Sequence, residues 1–201
     1  MNYLAHLYLA QPNADSHMGN LLGDFRKGTD ITKYSNDILS GLDNHYLVDR
    51  YTDGHEIVKS AKQLFEPRYR RFSGIAIDVL FDHFLINHWH SLNKFESNEK
   101  QSFERFKQQS YHLLLQRQLI MPERMERVVG MMVDDDWFEQ YRDLSGVERA
   151  LINIAKRIRF NNDFAGCVSD VNRHYQAFEQ AFLNYFPQLL THVENHALES
   201  S

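Results

Sequence analysis

Cysteine is almost absent: Cys167 stands alone in 201 residues. That excludes an intrachain disulfide and a metal–thiolate centre, and it suits a reducing, cytoplasmic setting. Proline is scarce at 4 residues and glycine at 9, so turns are few and the regular elements long. No apolar run approaches the roughly 20 residues needed to span a bilayer. The opening MNYLAHLYLAQ has no basic stretch ahead of its apolar run and carries His6 within it, which argues against a signal peptide. Positive charge is also short, with 22 Lys and Arg against 27 Asp and Glu and a formal net charge of −5. A general nucleic-acid or anionic-membrane binder is disfavoured on that ground. Strand alternation, internal repeats and low-complexity tracts are missing, as are a P-loop, a dinucleotide fingerprint and a nucleophile elbow.

What remains is an all-α pattern. Hydrophobic residues make up 43% and aromatics 13%, enough for one well-filled core. The spacing predicts a single helical domain of seven to nine helices over residues 1–196, with 197–201 as a frayed tail. Its organising stretch is Gly74–His90, GIAIDVLFDHFLINHWH. At roughly 100° per residue its large apolar side chains go all the way round, so this helix belongs in the middle of the fold. Yet it carries Asp78, Asp82 and His83. Asp78 and Asp82 lie one turn apart on a shared face. Burying them among apolar neighbours is costly unless a cation or strong hydrogen bonds compensate.

The other elements read in order. Residues 2–10 form a short helix or buried extended segment containing His6, and 11–19 are a turn by composition. GNLLGDFRKG (19–28) frames Asp24 with glycines that permit close backbone approach. Ser35 or Asn36 caps a helix over 37–53, on which His45, Asp49 and Asp53 recur at one-turn spacing. A helix over 54–66 follows, and its polar side and following turn collect Lys59, Lys62, Arg68, Arg70 and Arg71. Further helices are expected over 96–120, 122–133 (opened by Pro122) and 145–159. The acidic run Asp134–Asp136 reads as a charge cluster at a helix N-terminus, and Asn161–Asp163 as a loop. The last helical stretch, 166–195, is expected to be interrupted at Pro187.

Potential metal ligands gather in the first 90 residues: His6, Asp24, His45, Asp49, Asp53, Asp78, Asp82 and His83. A His and Asp set without Cys suits Mn²⁺, Fe²⁺ or Mg²⁺, and such a centre can polarise a phosphoryl oxygen. A web of buried salt bridges would use the same residues, so both readings stand at this point.

MNYLAHL, GNLLGDF, the H-x-x-x-D-x-x-x-D run from His45 and DVLFDHFL together resemble the acyl-carrier-protein phosphodiesterase family. The resemblance covers most of the chain and is densest in residues 1–90. It implies a helical fold distantly related to HD-domain phosphohydrolases, although the adjacent pair here is Asp82-His83 rather than His-Asp. It implies metal-dependent hydrolysis, with Mn²⁺ favoured over Mg²⁺ or Fe²⁺. The bond cut would be the phosphodiester joining 4′-phosphopantetheine to a serine of holo-acyl carrier protein. On this reading Asp24, His45, Asp82, His83 and His6 are the candidate metal ligands. Asp49 and Asp78 are the candidate catalytic carboxylates, and Asp53 supports the site or its helix end. Lys59, Lys62, Arg68, Arg70 and Arg71, with Arg26 and Lys27, are the candidate surface for the acidic carrier. Two other readings compete: a phosphohydrolase of similar scaffold acting on a nucleotide or small phosphodiester, and a helical carrier-binding protein without chemistry. Oligomeric state is not legible.

Overall fold

A helix with apolar side chains on every side has no face to give to water, and the structure places that helix as its axis. The computed structural model describes residues 1–92, 102–159 and 162–199. Helices α1 (Tyr3–Leu9), α2 (Ala14–Leu22), α3 (Asn36–Gly54) and α4 (Glu56–Lys62) precede the central helix α5 (Ser73–Asn87). After it come α6 (Trp89–Leu92), α7 (Phe103–Leu115), α8 (Glu123–Asp134), α9 (Trp137–Gln140), α10 (Leu144–Arg157), α11 (Val168–Arg173) and α12 (Tyr175–His196). The described residues contain no strand, and no helix among them is long and apolar enough to cross a membrane. The twelve helices among the described residues exceed the seven to nine expected because α6, α9 and α11 are only 4, 4 and 6 residues long, too short for a periodicity to mark them.

Helix α5 buries Ala76, Ile77, Val79, Leu80, Phe81, Phe84, Leu85 and Ile86 against α1, α4, α10 and α12. Phe81 meets Phe182 edge-on at 5.4 Å between ring centroids, and Trp89 beyond its end packs on Tyr8, Phe103 and Phe106. Each such aromatic or branched side chain contributes about 1.5–3 kcal/mol when fully buried.

Several boundaries differ from the sequence reading, each for a local reason. Only the first part of 11–19 is a turn. Asn13 accepts a hydrogen bond from the Ser16 N–H and caps α2 at Ala14. Helix α4 stops at Lys62 rather than near 66, and Pro122 precedes α8 in an extended conformation rather than opening it. The expected helix over 96–120 runs from Phe103 to Leu115, capped by Ser102; its stretch 96–101 lies outside the described residues, as do Asn161 and the tail residues 200–201. Pro187 does not interrupt α12, which runs through it and buries Phe182, Tyr185, Phe186 and Leu189 on both sides. The break falls instead at His174, between α11 and α12. Of the acidic run, Asp134 ends α8 and Asp136, in the left-handed region at φ 46°, precedes α9. Asp136 holds the buried Lys107 ammonium at 2.7 Å.

Two features of the fold position the site. Helices α2 and α3 cross in backbone contact, since a Cβ on Gly19 would fall 2.2 Å from the Ile38 carbonyl oxygen and 2.8 Å from Gly41 Cα. Helix α1 is tied to α5 by Asp82. The N–H of Leu4 donates to Oδ2 and that of Ala5 to Oδ1, each at 3.0 Å. These are first-turn amides with no partner inside α1, so the buried Asp82 carboxylate is compensated by strong hydrogen bonds rather than by a cation. Burial nevertheless pushes its carboxyl up to about 7, against the pull of the two amides.

The linkage has a definite sign. An acid whose folded pKa exceeds its unfolded value binds more protons when folded, so stability falls as pH rises between 3.8 and about 7. Asp82→Asn is expected to remove that decline, seen as a flatter denaturant midpoint against pH than in the unsubstituted protein. Asp82→Ala, which strands two buried N–H groups, is expected to cost about 3 kcal/mol at neutral pH by the same measurement.

Candidate functional site

Helices α1, α3 and α5 converge at one end of the α2–α3 crossing. His6 on α1 is fully buried, and His45 on α3 is buried with 2% exposure. Their imidazoles stack with centroids 4.1 Å apart and planes 19° from parallel. Both Nε2 atoms lie near Asp49, one turn beyond His45. His45 Nε2 lies 3.1 Å from Oδ2 and His6 Nε2 3.3 Å from Oδ1. Among the described residues, His6, His45 and Asp49 are the group whose ligand atoms lie close enough together, within 4.8 Å, to hold one metal ion.

The local sequence makes this arrangement. A Cβ on Gly23 would sit 2.0 Å from His45 Cδ2 and 2.1 Å from Nε2, so only glycine leaves room for the ring there. His45 Nδ1 donates to the Asn20 carbonyl at 2.8 Å. A carbonyl can only accept, so Nδ1 carries a proton and Nε2 turns toward Asp49 with its lone pair free or with a second proton. Against the downward pull of burial, Asp49, Asp24 and the Asn20 carbonyl hold His45 above the usual histidine value. His6 goes the other way. Burial and the neighbouring His45 lower it to about 3, with Asp49 opposing. Its Nε2 is near Asp49 without being aimed at it, and neither ring nitrogen finds a hydrogen-bond partner of acceptable geometry. A buried imidazole with both nitrogens unpartnered is costly and ready to bind a cation. The residues therefore fit a divalent metal.

Carboxylates line the opening. Burial pushes the Asp49 carboxyl up, but the His45 imidazole, the nearby His6 and the Met1 ammonium hold it well below the carboxylate range. The Met1 ammonium sits 3.1 Å from Asp49 Oδ1 and 3.3 Å from Asp78 Oδ1. Asp78, with 34% of its side chain exposed, is raised by burial despite that ammonium, with Asp49 adding repulsion. Asp24 is exposed by area yet raised by desolvation, with Asp49 and Asp78 adding to the shift against His45 and the Met1 ammonium. Three carboxylates facing one ammonium and two histidines leave an excess of negative charge, which also favours a divalent cation.

Asp82 and His83 do not converge on this group. Both Asp82 oxygens are occupied by the α1 amides. His83 turns toward α9 and α12: its Nδ1 donates to the Tyr141 carbonyl at 2.7 Å, and its Nε2 accepts from the Tyr175 hydroxyl at 2.9 Å and the Asn87 amide at 3.0 Å. Burial holds His83 below the usual histidine value. Asp53 lies at the surface, 3.0 Å from Lys62. Of the basic set, Lys59, Lys62 and Arg68 have carboxylate partners. Lys59 pairs with Glu56 at 2.8 Å and Arg68 with Glu66 at 2.9 Å, while Arg70 donates to the carbonyls of Phe65 and Gln63. Arg71 lies over the Phe72 ring, 5.5 Å from its centroid. Asn20, which orients His45 through its carbonyl, left no trace in the sequence because a backbone acceptor has no residue-type signature.

His6→Ala, His45→Ala and Asp49→Ala are each expected to weaken Mn²⁺ binding by more than the roughly 10–100-fold that losing an outer orienting group costs. Isothermal titration with Mn²⁺ checks this. His83→Ala is expected to bind the ion like the unsubstituted protein while melting at a lower temperature.

No solved structure matches this chain at a significant level. Curated relatives do. A protein of Serratia proteamaculans is 32% identical over 198 residues, covering 98% of this chain and 100% of its own length, and is named acyl carrier protein phosphodiesterase. Proteins of the same name from Enterobacter sp. (strain 638), 32% identical over 98% of this chain and 100% of their own, and Yersinia enterocolitica, 33% identical over 97% and 98%, align equally fully. The family model described as acyl carrier protein phosphodiesterase matches residues 1–189, and the chain belongs to that family.

Proposed function

We propose that this protein hydrolyses the phosphodiester of holo-acyl carrier protein, releasing 4′-phosphopantetheine and leaving the apo-carrier with its serine hydroxyl. Family membership supports the substrate. The observation that carries the chemistry is the unpartnered, buried His6 imidazole stacked on His45 beside Asp49. His6, His45 and Asp49 would hold the metal, and an all-nitrogen-and-oxygen donor set suits Mn²⁺ first, with Mg²⁺ or Fe²⁺ as alternatives. When bound, the ion supplies Lewis acidity toward the non-bridging phosphoryl oxygens.

The chain's own groups do the rest. Asn20 fixes the His45 tautomer through Nδ1 and keeps Nε2 on the site. Asp49 is held ionised by its neighbours, so it stays a donor at every working pH. Asp78 is partly exposed beside Asp49 and the Met1 ammonium, and it is the carboxyl placed to pass a proton. Water adds to phosphorus, the bond from phosphorus to the serine oxygen breaks, and Asp78 gives that oxygen its proton. The water's own proton passes to solvent beside Asp24, and Asp78 regains a proton from solvent for the next turnover.

Incubating the protein with holo-carrier and Mn²⁺ and weighing the carrier by mass spectrometry tests this. The expected result is conversion to the apo-carrier with free 4′-phosphopantetheine. Chelation should stop it, and Asp49→Asn should lower the rate at least about 100-fold. An intact holo-carrier with metal-loaded protein would contradict the proposal.

A further inference from the structure

Asn20 is fully buried in the last turn of α2, where main-chain carbonyls have no acceptor role left in the helix. Its carbonyl accepts from His45 Nδ1 instead, at 2.8 Å. Its side chain is engaged at both ends. Oδ1 accepts from the amide of Asn44, the residue before His45 on α3, at 2.9 Å. Nδ2 has two protons to place. It donates to the Ser16 carbonyl inside α2 at 3.1 Å and to a Glu199 carboxylate oxygen, also at 3.1 Å, from 179 residues away. Asn20 is thus the residue through which α2 grips α3 beside His45, and the far end of the chain closes that grip.

Glu199 reaches Asn20 through a turn with a conformational cost. The sequence reads 197–201 as a frayed tail, yet Ala197 ends α12 in the left-handed region at φ 45°, with its N–H on the Val193 carbonyl at 3.0 Å. A residue with a Cβ is disfavoured there, and such a conformation persists where its surroundings hold it. Tyr185 on Thr52 and His192 stacked on Tyr51 at 4.1 Å lay α12 along α3. The reversal at Ala197 then brings Glu199 to the α2–α3 crossing. Without that carboxylate, one proton of a fully buried amide loses its acceptor, which is costly.

We propose that Glu199 is a positioning residue for the metal group: it holds the Asn20 amide between α2 and α3, and Asn20 holds the His45 ring with Nε2 toward Asp49. A carboxylate acceptor makes a stronger hydrogen bond to an amide than a neutral one does, so it suits a residue that must not rotate. The proposal rests on the function stated above for the metal alone. The orientation of the His45 ring belongs to the metal-free protein and can be measured there.

The test is nitrogen-15 NMR of the histidine-labelled, metal-free protein, paired with calorimetric titration of Mn²⁺. Glu199→Ala is expected to speed solvent exchange of the His45 Nδ1 proton about tenfold or more, because the contacts that shield it open more often. It is also expected to weaken Mn²⁺ binding about three- to tenfold, less than the roughly 10–100-fold for losing a group that orients a ligand directly. Glu199→Gln keeps an acceptor for Asn20 Nδ2 and should restore most of both values. Ala197→Gly, which suits φ 45°, should leave both unchanged, as should Leu198→Ala at an exposed neighbour. A lower melting temperature in Glu199→Ala, with either the proton exchange or the Mn²⁺ affinity unchanged, overturns the proposal, because the residue then serves stability alone. Equal losses in Glu199→Gln and Glu199→Ala overturn it too, since the bond to Asn20 would not be the cause. If both values respond as expected but the unsubstituted protein leaves holo-carrier intact, the positioning role stands and the hydrolytic reading fails. If holo-carrier is hydrolysed while the His45 proton in Glu199→Ala exchanges normally, the hydrolytic reading stands and the positioning role fails.

Discussion

Two hydrogen bonds from the first turn of α1 to Asp82 decide where His6 goes. Helix α1 has only 7 residues and would be marginal alone. Its buried first-turn amides need an acceptor, and a carboxylate on the most buried helix supplies one. That anchor sets the rotation of α1, and the rotation sends His6 into the space above His45. On the other side, the Gly19–Gly41 contact brings α2 against α3, and Gly23 leaves space for the His45 ring. The site is thus made by three helices whose relative positions are each fixed by a specific close contact. Substitutions that loosen any of these contacts act on the same pair of imidazoles.

The electrostatics follow from that geometry. Water is kept from the two imidazoles but reaches Asp24, Asp49 and Asp78, so carboxylates stand between the buried histidines and solvent. Asp49 is stabilised as an anion by its neighbours, whereas Asp24 and Asp78 are raised by desolvation. Environments that separate the pKa values of nearby carboxylates give them different chemical roles.

Much of this was legible in the sequence, and what was not has physical causes. The all-round apolar pattern of α5 and the His45–Asp49 spacing depend only on helix periodicity, so the central element and half of the metal group could be read directly. The glycines of GNLLGDF could be marked as permitting close approach, but that Gly23 makes room for His45 is a tertiary fact. Asp82 and His83 are adjacent in sequence and about 100° apart on their helix; periodicity says they diverge, not which of them faces the site. Pro187 breaks most helices at a cost near 3 kcal/mol, yet α12 buries enough aromatic surface on both sides of it to absorb that. The basic stretch 59–71 was conspicuous as a run of like charges, and that Lys59, Lys62 and Arg68 pair with Glu56, Asp53 and Glu66 is a fact of the fold.

The central claim is that His6, His45 and Asp49 together hold a divalent cation. Crystals grown with Mn²⁺ and measured at its absorption edge test this most directly. The account predicts one anomalous peak about 2.0–2.3 Å from His6 Nε2, His45 Nε2 and an Asp49 oxygen, with His83 still bonded to Tyr141 and Tyr175. A peak beside Asp82 and His83, or none where His6 and His45 face Asp49, would contradict it.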